Sequence, residues 1–125
     1  MNVFDHEKLD VYRVAIDFVA IADGIVEGLP RGRGYLADQL LRAATSIVLN
    51  IAEGAGEHST SEKARFYRMA RRSATECAAV LDVCRKLGLG SAEQLSEGRD
   101  RLVRIVSMLT RLGRSLESSG ARRSG

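Results

Sequence analysis

Gln39, Arg42, Ser46, Asn50 and Glu53 stand three, four, four and three residues apart. At ~100° per residue this spacing places all five within an ~80° arc, a single polar line along an otherwise apolar helix. Polar groups with apolar surface on both sides have to satisfy one another or groups on a neighbouring chain. Arginine and glutamate in such a line point to a charge-assisted hydrogen-bond network. They do not point to acid–base catalysis, because Ser46 has no histidine at helical spacing and no nucleophile–base pair is evident. The line reads as a structural polar network for packing and register. If Arg42 and Glu53 are buried members of it, removing either is expected to cost ~3 kcal/mol or more by stranding the other.

Phosphate binding is the second chemistry within reach. Arg65, Arg68 and Arg72 gather on one face of a third helical segment, with Arg71 near its edge. Arg101, Arg104, Arg111 and Arg114 occupy the side of a fourth segment opposite its apolar stripe. If the two faces lie side by side, Arg65, Arg68, Arg72, Arg101, Arg104 and Arg111 are candidate nucleic-acid-binding residues. The chain's net charge is only +3, but it is unevenly spread. Residues 1–30 carry −4, residues 31–58 balance, and residues 59–88 and 89–125 carry +4 and +3. An acidic beginning and a basic second half suit a polyanion, or self-association of unlike surfaces.

Other site chemistries find no support in the pattern. No Gly-rich loop ends in Lys-Ser/Thr, and His6 and His58 are isolated, so neither metal nor cofactor is expected. Cys77 and Cys84 are seven residues apart on one helix, ~10 Å between Cα atoms and beyond the ~7 Å reach of a disulfide. They read as core thiols. Asp5 and Glu7 stand where a signal peptide would be basic, and the uncharged run 43–52 is half of the ~20 residues a span needs. A cytoplasmic protein with no membrane partner is expected.

Helices must position these residues. The 125 residues (13.6 kDa) are 45% hydrophobic with one proline, which fits a single all-α domain. Periodicity and breakers predict helices over about 5–28, 35–53, 59–88 and 91–117. Ser59-Thr60-Ser61-Glu62 and Ser91-Ala92-Glu93-Gln94 have the form of capping boxes. The domain is expected over 1–117, with 118–125 a disordered Ser/Gly/Arg tail. Short connections imply an antiparallel, up-down-up-down four-helix bundle. In the third helix Phe66, Met69, Ala70, Ser73, Cys77, Val80, Leu81, Cys84 and Leu87 are expected to face the core. In the fourth, Leu102, Ile105, Val106, Leu109, Leu112 and Leu116 are.

The first two helices are too apolar for one face. Fourteen of the 25 positions from 5 to 29 are apolar, and 11 of 17 from 36 to 52. A helix facing only its own bundle needs about three in seven. The surplus predicts a second buried face, met in so small a domain by another copy of the chain.

Several segments occur in the order found in a known family. They are Leu9-Asp10-Val11-Tyr12 with Ala15, then Pro30, then Gln39-x-x-Arg42-Ala43-Ala44-x-Ser46-Ile47-x-x-Asn50-Ile51-Ala52-Glu53-Gly54. Phe66-Tyr67-Arg68-Met69-Ala70-x-x-Ser73-Ala74-x-Glu76 and Leu87-Gly88 follow. Over about residues 4–117 the chain resembles the four-helix-bundle proteins named for intervening sequences in 23S ribosomal RNA genes. A related member is the accessory protein of diversity-generating retroelements. The resemblance implies a ring-shaped homopentamer, and in the retroelement relatives a basic surface that engages nucleic acid and a reverse transcriptase. Arg72 stands where the family usually has glycine, and the loop 31–34 lacks the family's acidic residue.

Together these readings lead to a non-enzymatic, oligomeric binding module. Its expected partners are further copies of itself, with RNA or DNA engaged through the third and fourth helices. Few aromatics argue against base stacking. The alternative is a protein-interaction scaffold, or an accessory subunit of a reverse transcriptase, without direct nucleic-acid contact.

Overall fold

A computed structural model describes the backbone of residues 4–124 and the side chains of residues 4–118. Among the described residues the chain forms a 3-10 turn, Asp5–Lys8, four α-helices and no strand. The helices are α1 (Asp10–Glu27), α2 (Gly34–Gly56), α3 (Thr60–Lys86) and α4 (Ala92–Ser124). Backbones of α1 and α2, α2 and α3, α3 and α4, and α1 and α4 come into contact, whereas the diagonal pairs do not. That is a four-helix bundle with one helix at each corner. Its centre is filled by Phe18 and Ile25 of α1, Leu40, Ile47 and Ile51 of α2, Cys77 and Cys84 of α3, and Ile105 of α4. No described helix is long and apolar enough to cross a membrane.

Local signals account for most of the boundaries. Ser59 Oγ accepts the Glu62 N–H at 3.3 Å, and Ser91 Oγ accepts the Gln94 N–H at 3.0 Å, so both expected caps form. At the end of α3, Gly88 takes φ +69, and the Gly88 and Leu89 N–H groups return to the carbonyls of Arg85 and Cys84. This left-handed stop satisfies the last carbonyls and suits glycine, which has no Cβ to clash.

Three departures from the sequence expectation have physical causes. The first helix does not begin at Asp5: Leu9 is extended (φ −90, ψ 127) and separates the 3-10 turn from α1. The turn folds against α2, with the His6 ring stacked on Phe4 and 4.5 Å from Tyr12. The second helix does not stop at Glu53 but continues through two glycines to Gly56. There Lys63 Nζ of α3 donates to the Gly54 and Ala55 carbonyls at 2.9 and 3.0 Å, placing a cation where the helix dipole is negative. The fourth helix continues past 117 to Ser124, across the segment expected to be a disordered tail. No proline interrupts it, and Gly120 costs only ~1 kcal/mol relative to alanine. Gly125 lies outside the described residues.

The apolar stripe of α3 is also rotated from its expected place. Tyr67 and Ala74, both left out of the expected stripe, are 4% and 0% exposed, whereas Met69 and Leu87 are 40% and 45% exposed. Tyr67 turns inward because Gly54 leaves room for its ring. Burial pushes the Cys77 thiol up to about 12, with Glu76 adding to the shift, and burial also raises Cys84. Both cysteines are free and protonated at neutral pH.

Candidate functional site

The polar line of α2 lies on the outer surface of the bundle, where it divides. Asn50 Nδ2 donates to the Ser46 carbonyl at 2.9 Å and to Ser46 Oγ at 3.0 Å. Ser73 Oγ of α3 donates to the same Ser46 oxygen at 2.9 Å. These three half-buried side chains are the network that forms, and it ties α2 to α3. Arg42 and Glu53 do not enter it. Both are exposed, and no polar or charged residue is fully buried among the described residues. Eleven residues of helix separate them by ~16 Å, too far for direct pairing along one helix. Gln39 is half-buried and joins neither. The buried Arg42–Glu53 partnership expected from the spacing is therefore absent within the single chain. Ser73, expected on the core-facing stripe of the third helix, is the missed member.

The network's energetic weight follows from its exposure. Asn50→Ala should lower the unfolding free energy by about 1 kcal/mol, the usual net value of a part-buried hydrogen bond. Arg42→Ala should stay within about 0.5 kcal/mol, as surface substitutions do. Urea unfolding of both variants checks the pair. A loss at Arg42 as large as that at Asn50 would show that Arg42, exposed in the single chain, is covered by a neighbouring copy.

On one flank of this network, Leu41, Arg42, Thr45, Ser46, Leu49 and Asn50 line a shallow, open hollow of about 610 Å³. Leu49 is 59% exposed at its rim. On α1, Ile16 is 44% exposed, and Tyr35 at the start of α2 is 58% exposed. Part of the surplus apolar surface of the first two helices is thus left uncovered by the bundle.

The six candidate arginines do not form one face. Arg65 is bound to Glu62, with contacts of 2.8 and 3.0 Å, and lies over the Phe66 ring at 4.5 Å. The hydrogen bonds that Arg65 donates to Glu62, with the charge of that carboxylate, hold the Arg65 pKa above its ordinary value. Arg101 is half-buried and 4.0 Å from Glu97. It stands seven residues from Gln94, which approaches Gly24 of α1, and seven from Met108, which faces the start of α1. That spacing puts Arg101 on the α1 side of α4. Arg111 lines a hollow with Lys8, Leu9, Asp10, Val11 and Met108, and so also lies toward α1. Arg104, seven residues before Arg111, shares its side and is exposed. Arg72 is exposed on α3.

Only Arg68 of the six enters the groove between α3 and α4. It meets Arg71 and Arg114 there, two arginines outside the candidate set. Arg71 Nη1 donates to Thr110 Oγ1 of α4 at 3.4 Å. The convergence depends on how α3 and α4 are rotated against each other, which the periodicity of each helix alone does not specify.

Comparison with known proteins adds one finding. The family model described as 23S rRNA-intervening sequence protein matches residues 7–111. No curated protein matches the chain.

Proposed function

Because the chain belongs to the 23S rRNA-intervening sequence protein family, we propose that it is a non-enzymatic oligomeric module of the cytoplasm that binds RNA or DNA. In this reading the bundle runs up-down-up-down and closes as a ring-shaped homopentamer through the outer faces of α1 and α2. The arginines of α3 and α4 then supply phosphate contacts, repeated around the ring so that weak sites add through avidity.

One observation carries the nucleic-acid reading. Arg68, Arg72, Arg104 and Arg111 are exposed, and none has a carboxylate within 4 Å among the described residues. Their charge is available to a polyanion, whereas that of Arg65 is already met by Glu62. A scaffold that contacts only proteins is the second reading. It is favoured by Met69, Val83 and Val103, apolar side chains 40%, 43% and 55% exposed on the same two helices.

Fluorescence anisotropy with duplex DNA, single-stranded DNA and structured RNA separates the two. Binding should weaken with salt by about 0.9 log units per log unit of salt for each duplex phosphate neutralised. Arg68→Glu combined with Arg104→Glu should weaken all sequences alike and flatten that slope. Failure to bind any of the three at low salt and tens of micromolar protein would leave the scaffold.

A further inference from the structure

We infer that the groove between α3 and α4 holds the terminal phosphate of a nucleic-acid strand, a phosphomonoester dianion gripped by Arg68, Arg71 and Arg114. The inference rests on the nucleic-acid reading above and names the part of the ligand that this groove takes.

The hollow has a volume of about 270 Å³, and Tyr67, Arg68, Arg71, Thr110, Arg114 and Glu117 supply its polar lining. None of the three guanidinium groups lies within 4 Å of a carboxylate among the described residues, although Arg65, Arg99 and Arg101 on the same helices are each paired. All three converging arginines are thus unpaired, as are Arg72, Arg104 and Arg111 outside the groove; what sets the three apart is that they share one hollow. Arg71 is held across the groove by Thr110 Oγ1, which in turn donates to the Val106 carbonyl at 2.8 Å. The remaining Arg71 donors are left for a ligand. Tyr67 is 4% exposed, yet its side chain makes no hydrogen bond to a described residue. Tyr67 lines the hollow and its hydroxyl is not fully buried, so it is free to donate to a bound oxygen. Gly113 adds no side chain to the lining, and a Cβ built there would meet nothing within 4 Å.

Charge and shape select the ligand. Three arginines and one glutamate give the hollow a net charge of +2. A phosphomonoester carries about −1.5 to −2 at pH 7, whereas a diester within a strand carries one negative charge. Guanidinium forks match the several oxygens of a terminal phosphate, and such charge-assisted bonds are the strong ones. Packed helix axes lie roughly 8–10 Å apart. The groove between them admits the end of a strand, while the convex backbone of a duplex would rest on its rim.

The test uses the full chain and one short single strand, prepared with a 5′-phosphate, with a 3′-phosphate, or with hydroxyls at both ends. Anisotropy titrations at one fixed salt concentration should show at least one phosphorylated form binding about tenfold tighter than the unphosphorylated strand. Arg68→Gln combined with Arg114→Gln should erase that advantage, with folding checked by circular dichroism. Arg104→Gln, on the other side of α4, should lower the affinity of all forms and leave the advantage in place. Equal affinity of the three strands would overturn the inference while leaving the nucleic-acid reading intact. Absence of binding to all three would sink both. Inorganic phosphate at millimolar concentration should compete only with the phosphorylated strand. Inorganic phosphate binding as tightly as that strand would identify a free anion as the ligand and also overturn the strand-end assignment.

Discussion

Valine at Gly54 should destabilise the protein by about 3 kcal/mol, toward the upper end of overpacking costs. A Cβ at this position would lie 2.7 Å from Tyr67 Cε1, 2.9 Å from Tyr67 Cδ1 and 3.0 Å from Phe66 Cβ. The Tyr67 ring is enclosed and has little room to swing aside, so relief requires α2 and α3 to separate where they pack most closely. Separation would also pull the Gly54 and Ala55 carbonyls away from Lys63. Gly54→Ala should be milder, because alanine recovers ~1 kcal/mol of helix propensity. Gly56 is the control: it lies in the same helix, with nothing within 4 Å of a built Cβ. Gly56→Ala should be neutral or stabilising by up to about 1 kcal/mol. Thermal melts of the three variants should therefore separate in sign. A Gly54→Val protein melting with the parent would refute the close approach of α2 to α3.

Leu49→Arg should abolish assembly while leaving the fold intact. Leu49 is 59% exposed at the rim of the open hollow on α2 and does not belong to the core, so the bundle loses little. If α2 meets another copy there, burying the leucine contributes about 1.5–3 kcal/mol at each contact. An arginine in its place would be desolvated without a partner, at a cost of several kcal/mol. In a closed ring the cost recurs at every interface. Light scattering should show the proposed multimer falling to the 13.6 kDa of a single chain, with unchanged far-ultraviolet circular dichroism. Ile47→Arg, two residues away and 0% exposed, should instead unfold the chain. A multimer that survives Leu49→Arg, or a parent protein that is monomeric at micromolar concentration, would rule out assembly through this face.

The amino-acid sequence by itself determined what depends on neighbours along the chain. Ser59 and Ser91 cap helices because a hydroxyl three residues from an N–H reaches it in any such turn. Gly88 ends α3 because the left-handed stop needs a residue without Cβ. The four helices, the core positions of α4 at Leu102, Ile105 and Leu109, and the family are all legible in this way.

Tertiary structure decided whatever depends on how one helix is rotated against another. Leu9 breaks the first helix because the turn before it folds onto α2, a contact between segments distant in sequence. Glycine at 54 has its reason in the Tyr67 ring, and Tyr67 faces inward only because Gly54 makes room. Ser46 finds Ser73, 27 residues away, while Arg42 and Glu53 stay apart on the same helix. Arg68, Arg71 and Arg114 converge, and Arg101 and Arg111 turn toward α1. Helical periodicity gives each side chain an angle about its own axis but no common origin between helices. That origin is set by core packing, where a modest rotation of α3 brings Tyr67 and Ala74 inward and leaves Met69 exposed.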